Sequence, residues 1–277
     1  MHYNIWQDNK RQFYISYLGG KAKETWIAHI LNHSIFDCKD YYEPFCGYCH
    51  ILKRVTGKRS YHASDAHPQL ARLLAGVQRH ERLPEHITRE RYHELRCSGE
   101  VTFESSIACF TYSFNGKAFG GYAPTYRRRS GRVDDQVKSR LNHYAALQAS
   151  ASFQAARLSL ADYRTLSPQA GSLVYCDPPY ANSATRYRGT GTFNSNEFWT
   201  CVAKWSADCI LIVSEYDAPE GWRCIAQAEK RCTLAGVKHS VRVEKLFAHE
   251  TVLARIKPLL DDLAHGARGG SLQELMM

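Results

Sequence analysis

Apolar residues follow two different spacings along this chain. Short runs that are rich in β-forming residues and bounded by polar segments occupy 60–65, 172–176 and 208–213. Elsewhere apolar residues recur every three or four positions, as they do around 26–31, 70–77 and 196–205. The first spacing predicts buried strands and the second predicts amphipathic helices. Strands and helices that alternate in this way are typical of an α/β sheet covered by helices on both faces.

A stretch between residues 66 and 150 departs from this alternation. Histidine and arginine are dense over 79–96, and aromatics are interleaved with glycines over 103–122, which predicts short strands or a loop platform. Asp134 or Asp135 is then expected to cap a helix that runs to residue 148. We therefore expect residues 66–150 to form an insert within a larger domain.

The larger domain is expected to comprise the two flanking segments, 1–65 and 151–257. Within the second segment, 222–227 and 241–247 predict two late antiparallel strands. Glycine and polar residues become frequent after this domain, so residues 258–277 are expected to form a loose tail.

The charge of the chain favours a polyanionic partner. Lys and Arg number 36 against 27 Asp and Glu among 277 residues, a formal net charge of +9, which points to nucleic acid before a membrane surface. No apolar run is long enough to span a bilayer, and the first residues lack the apolar core of a signal peptide. We therefore expect a cytosolic setting, in which the ten cysteines are reduced thiols.

The tetrapeptide Asp177-Pro178-Pro179-Tyr180 directly follows the strand predicted at 172–176. Neither proline can donate to the sheet, so the strand ends there, at the edge where open α/β sheets bind ligands. Asp177 and the Pro178 carbonyl can accept both hydrogens of a nucleobase amino group, while Tyr180 stacks on the base. The nitrogen lone pair is then localised and can take a methyl group from a sulfonium. An ordinary turn is the alternative, because Asp and Pro are common turn residues.

Two earlier segments have features of a nucleotide-binding site. The glycine pair before Lys21 opens a helix, where backbone N–H groups and a positive charge can hold a ligand, although a plain turn has the same pattern. A strand from Tyr41 runs into a turn at Gly47, which permits close backbone approach, and a helix is predicted from His50. Asp65 ends the next strand, where an acid can accept from both ribose hydroxyls or cap a helix.

The turn after Tyr41 also contains Cys46, Cys49 and His50 as a C-x-x-C-H string. Such strings occur in haem attachment, redox and zinc sites. Haem attachment needs an export route, for which the chain shows no signal, and a zinc site lacks a second C-x-x-C pair. These sites remain alternatives, and no metal ligand is predicted.

A basic segment follows the aromatic stretch of the insert. Its five cationic residues of interest are Arg127, Arg128, Arg129, Arg132 and Lys138. An arm of this kind beside aromatics suits contacts to DNA phosphates, whereas a solvated loop is the usual interpretation of a charge run. Because the tetrapeptide at 177–180 is predicted to modify a nucleobase, DNA is the favoured partner of this basic segment.

Taken in order, the motifs from Tyr17 to about Glu250 resemble the Dam-like class of DNA adenine-N6 methyltransferases. Residues 17–21 look like the N-terminal motif of that class, and 43–49 are similar to its Glu-Pro-Phe-x-Gly-x-Gly cofactor loop. Residues 161–163 resemble an Asp-Phe pair near the adenine ring of the cofactor, and the tetrapeptide at 177–180 matches the catalytic motif in full.

The resemblance implies a Rossmann-like, S-adenosylmethionine-dependent methyltransferase sheet with an inserted target-recognition region. The expected product is N6-methyladenine in double-stranded DNA. The catalytic residues implied are Asp177, Pro178, Pro179 and Tyr180. The cofactor-binding residues implied are Tyr17, Gly20, Lys21, Glu43, Phe45, Gly47, Asp65, Asp162 and Asp177. A cognate restriction nuclease is a possible partner, and the expected setting is the cytoplasm of a bacterial or phage-infected cell.

One position departs from the pattern that the chain resembles. Cys49 stands where that family has its second loop glycine, and a side chain there can crowd the methionine part of the cofactor. A DNA-binding protein without activity is therefore one alternative. Methylation of cytosine N4 or of RNA is another, although cytosine-N4 enzymes more often have Ser in place of Asp177. The recognition sequence and the oligomeric state are left open.

Overall fold

A computed structural model describes residues 4–5, 21, 24–127, 131, 133–179, 193–232 and 240–269. The elements of the described chain, in order, are β1 (Asn4–Ile5), α1 (Thr25–Leu31), β2 (Asp40–Glu43), β3 (Ser60–Asp65), α2 (Pro68–Gln78), α3 (Arg89–Ser98), α4 (Phe103–Phe110), β4 (Thr125–Arg127), β5 (Val133–Asp135), α5 (Gln136–Gln148), α6 (Ala151–Ala155), β6 (Arg157–Leu160), β7 (Leu173–Cys176), α7 (Ser195–Trp205), β8 (Ile210–Glu215), β9 (Trp222–Cys232), β10 (Ser240–His249) and α8 (Lys257–Gly269). Among the described residues, no helix combines the length and the apolarity needed to cross a membrane.

Eight of these strands form one sheet in the order β1-β9-β10-β8-β7-β2-β3-β6. The neighbours from β8 to β6 are all parallel, whereas β10 is antiparallel to both β8 and β9. The α/β fold predicted from the alternation of strands and helices is therefore confirmed. The two late antiparallel strands are also present, although β9 and β10 are longer than the segments predicted for them.

The central strand β7 is buried on both faces of the sheet. Leu173 and Tyr175 belong to one apolar cluster, while Val174 and Cys176 belong to a second cluster, which also contains Phe198 of α7. Successive side chains of a strand point to opposite faces, so an uninterrupted apolar run marks a strand covered on both sides. The apolar run thus explains the central position of the strand that leads to Asp177.

Three carboxyl groups meet at one edge of the sheet because of this strand order. Glu43 ends β2, Asp65 ends β3, and Asp177 directly follows β7. The three strands are parallel neighbours in the order β7-β2-β3. Their carboxyl ends therefore lie side by side, where open α/β sheets bind ligands.

Helices α2 to α6 and the β4–β5 hairpin lie between β3 and β6 in the chain. The prediction of strands or loops over 103–122 is wrong for its first half, because α4 is a helix that begins with a capping box between Thr102 and Ser105. Phe103 packs over Gly76 of α2, where an added Cβ would lie 2.2 Å from the phenyl ring. The close approach of α2 and α4 thus stabilises a helix that the aromatic and glycine pattern did not indicate.

The prediction of a loose tail is wrong as far as Gly269. Residues 257–269 form helix α8, in which Leu259 and Leu263 are buried against the main core. These leucines are four positions apart, so they lie on one face of the helix. His33 also contacts Asp262 at 2.9 Å. The tail was predicted from the glycines near the end of the chain, and this amphipathic spacing was overlooked.

Candidate active site

The Asp177 carboxylate forms a partly buried ion pair with Lys21. The distance from Lys21 Nζ to Asp177 Oδ1 is 2.7 Å, and the same ammonium lies 3.1 Å from Glu244 Oε1 on β10. Lys21 and Glu244 are 3% and 4% exposed, and Asp177 is 19% exposed. The most accessible member of the trio is therefore the carboxylate of the tetrapeptide.

The charges around Lys21 decide its ionisation. Burial alone would lower the pKa of Lys21, but the negative charges of Asp177 and Glu244 outweigh burial and raise it above its usual value. Ser214 Oγ donates to Glu244 Oε1 at 2.7 Å. A permanently charged lysine favours the carboxylate form of Asp177 over the neutral acid, so Asp177 is held as a hydrogen-bond acceptor.

Glu43 lies beside this trio as a buried carboxyl group. The Tyr41 hydroxyl donates to Glu43 Oε2 at 2.8 Å. Burial raises the pKa of Glu43 to about 8, the hydrogen bond from Tyr41 opposes this rise, and the charge of Asp177 adds to it. Glu43 is therefore mostly protonated at neutral pH, and a cation bound nearby would favour its ionised form.

Replacing Glu43 with glutamine is expected to flatten the pH dependence of stability. The pKa of Glu43 rises from 4.5 to about 8 on folding, so its stabilising contribution is complete below about pH 4.5 and is lost as the pH rises through 8. Glutamine cannot ionise and still accepts from Tyr41. One pKa unit corresponds to about 1.4 kcal/mol. The unfolding free energy of Glu43→Gln near pH 8.5 should therefore exceed that of the wild type by at least this amount.

Urea unfolding from pH 5 to pH 8.5 measures this difference. Glu220→Gln, on the exposed loop before β9, is the matched control and should follow the wild type at every pH. Parallel curves for Glu43→Gln and the wild type would show that Glu43 does not titrate in this range.

The turn after β2 is joined to the end of β3 by hydrogen bonds. The Gly47 N–H donates to Asp65 Oδ2 at 3.2 Å, and the His67 N–H donates to Asp65 Oδ1 at 2.9 Å. Burial raises the pKa of Asp65 to about 6, against the effect of these two hydrogen bonds. A carboxylate has about four acceptor positions, so Asp65 can organise the turn and still accept from hydroxyl groups of a ligand.

Gly47 and Cys49 both have left-handed backbone conformations in this turn, with φ of 49° and 54°. Glycine adopts this conformation without strain, whereas a side chain at such a position costs about 1–2 kcal/mol. The Cys49 side chain is fully buried in the main core and shares a hydrogen bond with the Cys46 thiol. The conformation thus explains why glycine suits this position, and the thiol is packed among core residues.

The helix predicted from His50 is shorter than expected. The chain after Cys49 continues as a turn and then as the 3₁₀ segment Leu52–Arg54. The His50 ring is buried, with its centre 4.3 Å from the His143 ring. In the part of the chain that the structure describes, no group of three or more His, Cys, Asp or Glu is placed to hold a metal ion.

Three aromatic rings pack around Phe45, which lies in the turn after β2. Its ring centre lies 5.2 Å from Tyr163, 5.6 Å from Phe198 and 6.2 Å from Phe193. Asp162 is placed differently, because both of its carboxylate oxygens accept from the Arg164 guanidinium at 2.8 Å. This pairing lowers the pKa of Asp162. Tyr163, the aromatic member of the 162–163 pair, therefore packs against Phe45, whereas the acid Asp162 is paired with Arg164.

The basic arm is partly described. Arg127 is exposed on β4, and its guanidinium donates to the Gly131 carbonyl across the hairpin at 3.3 Å. Lys138 is exposed on the first turn of α5, where the Asp135 side chain accepts from the Lys138 N–H. Asp135 therefore caps α5, as one of the two predicted caps.

Several predicted site residues lie outside the described residues, so their roles stay predictions. They are Tyr17, Gly20, Arg128, Arg129, Arg132 and Tyr180. The structure brings together Lys21, Glu43 and Asp177, and it joins Gly47 to Asp65. Pro178 is buried and Pro179 is partly buried next to Asp177.

Glu244 and Ser214 belong to the site but were missed by the sequence analysis. Glu244 lies within a segment recognised only as a late strand, and alternation of charged and apolar residues such as Val243-Glu244-Lys245 does not separate a buried acid from an exposed one. A Ser-Glu-Tyr string at the end of the strand predicted at 208–213 was the one signal near Ser214. Neither signal indicates a partner for Lys21.

Solved structures with a similar fold include two of an rRNA methyltransferase, aviRa, from Streptomyces viridochromogenes. One is 13% identical, with a TM-score of 0.39, over 89% of this chain and 90% of that chain. The other is 14% identical, with a TM-score of 0.38, over 87% and 88%. No curated protein matches the sequence.

A family model described as D12 class N6 adenine-specific DNA methyltransferase matches residues 17–210. The match covers more than half of the chain and includes Lys21, the turn at Gly47 and Asp177, which the sheet brings to one edge. It also includes the helices and the hairpin between β3 and β6. The chain therefore belongs to the D12 class of N6 adenine-specific DNA methyltransferases.

Proposed function

We propose that this enzyme methylates the N6 amino group of adenine within a specific sequence of double-stranded DNA. The observation that carries the proposal is the contact between Lys21 and Asp177, which joins two motifs 156 positions apart. A partly buried carboxylate held by a lysine is an acceptor that matches an amino group. Family membership implies S-adenosylmethionine as the methyl donor and DNA as the substrate.

Asp177 is assigned the amino group of the target adenine. Its carboxylate accepts one N–H and the Pro178 carbonyl accepts the other, which localises the nitrogen lone pair for attack. Pro179 stiffens the backbone, and Tyr180 stacks on the base. Adenine inside a duplex cannot reach the edge of a sheet, so the base must leave the helix, at a cost of a few kcal/mol.

The described residues fit S-adenosylmethionine at the edge formed by β7, β2 and β3. S-adenosylmethionine supplies an electrophilic methyl group on a sulfonium cation. Glu43 and Asp65 both have pKa values raised by burial, which is expected of carboxyl groups where a cation and hydroxyl groups are to bind. Phe45 and its aromatic neighbours suit the adenine ring of the cofactor. Lys21 and Gly47 border the same edge of the sheet.

The basic arm is assigned to the DNA backbone. Arg127 is exposed on the β4–β5 hairpin, and Lys138 is exposed on the first turn of α5. A cation near a helix N-terminus opposes the helix dipole, so Lys138 is better explained by an anionic partner than by helix stability. Arg128, Arg129 and Arg132 are assigned to the same backbone, and the insert is assigned to sequence recognition.

Expression in a host that lacks adenine methylation tests this function. Modification-sensitive sequencing of the host DNA should show N6-methyladenine at one recurring sequence and should show none in cells with Asp177→Asn. Radiolabelled transfer to double-stranded DNA, single-stranded DNA and RNA separates the substrates. Methylation of cytosine, or of RNA alone, would contradict the proposal.

Replacing Cys49 with glycine tests the alternative of a DNA-binding protein without activity. Because the Cys49 thiol lies in the core, we expect Cys49→Gly to leave the S-adenosylmethionine dissociation constant within about threefold of the wild type. Such a change is well below the tenfold change that corresponds to about 1.4 kcal/mol. Relief of the left-handed strain and loss of a buried thiol should nearly cancel in stability. Calorimetry measures the first quantity and urea unfolding the second.

Cys109→Ala is the control for losing a buried thiol, since Cys109 is fully buried in α4. Binding at least tenfold tighter in Cys49→Gly than in the wild type would show that the side chain crowds the cofactor. Absence of binding in the wild type together with DNA retention would favour the inactive alternative.

A further inference from the structure

Side chains from α5 and from the start of α6 hold the backbone of the segment that follows β2. His143 on α5 contacts the Tyr48 carbonyl through Nε2 at 2.7 Å. Ser152 Oγ donates to the Leu52 carbonyl at 2.7 Å, and Ser150 Oγ donates to the Lys53 carbonyl at 3.1 Å. Three carbonyls of the segment that follows β2 are thus paired with residues about a hundred positions away in the chain.

The neighbours of His143 define its tautomer. A carbonyl can only accept, so Nε2 carries the hydrogen that is donated to Tyr48, and Nδ1 accepts from the Lys53 ammonium at 3.1 Å. Burial and then the charge of Lys53 lower the pKa of His143 to about 3. His143 is therefore neutral at physiological pH, with both ring nitrogens engaged.

The turn that His143 holds needs support from outside. Cys49, which follows Tyr48, has a positive φ of 54°, and a side chain in this conformation stores strain that surrounding contacts must offset. His143 is 3% exposed and Tyr48 is 2% exposed, so a Tyr48 carbonyl without its donor would have little access to water. The two N–H groups that precede Tyr48 in the turn are engaged elsewhere, because the Cys46 N–H donates to the Ser64 carbonyl and the Gly47 N–H donates to Asp65.

We propose that His143 is a positioning residue for S-adenosylmethionine binding, which acts by fixing the Tyr48 peptide of the cofactor loop. His143 lies eight residues after the N-cap of α5, so it acts on the loop from inside the insert rather than from the sheet domain. The inference rests on the cofactor that family membership implies and does not depend on which nucleic acid is methylated.

Calorimetric titration of the full chain with S-adenosylmethionine tests this role, without DNA. His143→Leu removes the donor, whereas the amide nitrogen of His143→Gln can replace Nε2–H. We expect His143→Leu to bind about tenfold more weakly than the wild type, because removing the His143 donor from a buried carbonyl is costly. His143→Gln should recover binding to within about twofold of the wild type. Asn142→Leu, exposed on the same helix, is the control and should bind normally.

A ratio of at least fivefold between the Leu and Gln dissociation constants supports the proposal, and a smaller ratio overturns it. A purely structural role would lower the unfolding temperature of both variants without separating their affinities. If His143→Leu does not fold, His143→Asn replaces it, because its amide is too short to reach the Tyr48 carbonyl, and it should bind at least threefold more weakly than His143→Gln; equal binding of the two would overturn the proposal. Absence of wild-type binding would also overturn it, whereas failure to methylate DNA would not.

Discussion

Methyl transfer to DNA is expected to fall by about a hundredfold to a thousandfold when Asp177 is replaced by asparagine. The amide is nearly isosteric with the carboxylate, but it is neutral and one of its two polar atoms is a donor. It therefore attracts the target amino group weakly and cannot match the positive charge that develops on the nitrogen. Single-turnover transfer from radiolabelled S-adenosylmethionine measures this effect on the chemical step.

The control is Asp217→Asn, an exposed position on the loop after β8. It should retain wild-type transfer, and Asp177→Asn should retain cofactor binding to within about tenfold, or 1.4 kcal/mol. Transfer within tenfold of the wild type in Asp177→Asn would contradict the role assigned to this carboxylate.

Tyr180→Ala should lose most methyl transfer as well, while its cofactor binding persists.

Replacing Lys21 with methionine is expected to lower the unfolding free energy by about 3–5 kcal/mol. Lys21 lies 2.7 Å from Asp177 and 3.1 Å from Glu244, so its removal leaves two carboxylates without their shared cation in a buried site. The cost of an uncompensated buried charge exceeds what the added apolar side chain returns. Urea unfolding at pH 7 measures the loss.

Two further variants test the cause of that loss. Lys257→Met removes an exposed lysine that pairs with Asp261 one turn away, and it should change stability by less than about 0.5 kcal/mol. Adding Glu244→Gln to Lys21→Met removes one of the stranded charges and should restore part of the stability. A double variant no more stable than Lys21→Met would contradict the electrostatic explanation.

The sequence by itself determined the features that depend on local pattern. The uninterrupted apolar run before Asp177 indicated a central strand, because such a run suits only a strand covered on both faces. The cap at Asp135 and the strand that ends at Asp65 were also evident, since capping and strand formation involve residues close together in the chain. The order of motifs, from Lys21 to Asp177, was sufficient to indicate the family.

Only the tertiary structure decided the contacts between distant segments. Glu244 meets Lys21 because β10 pairs with β8 in a particular register, which a charged residue in an alternating strand does not reveal. The helices α4 and α8 form where aromatic and leucine side chains find partners on other elements, so local composition gave the wrong expectation there. His143 was only one polar residue in a predicted helix until packing placed it against the Tyr48 carbonyl. Such pairings follow from strand order and burial, which are properties of the whole fold.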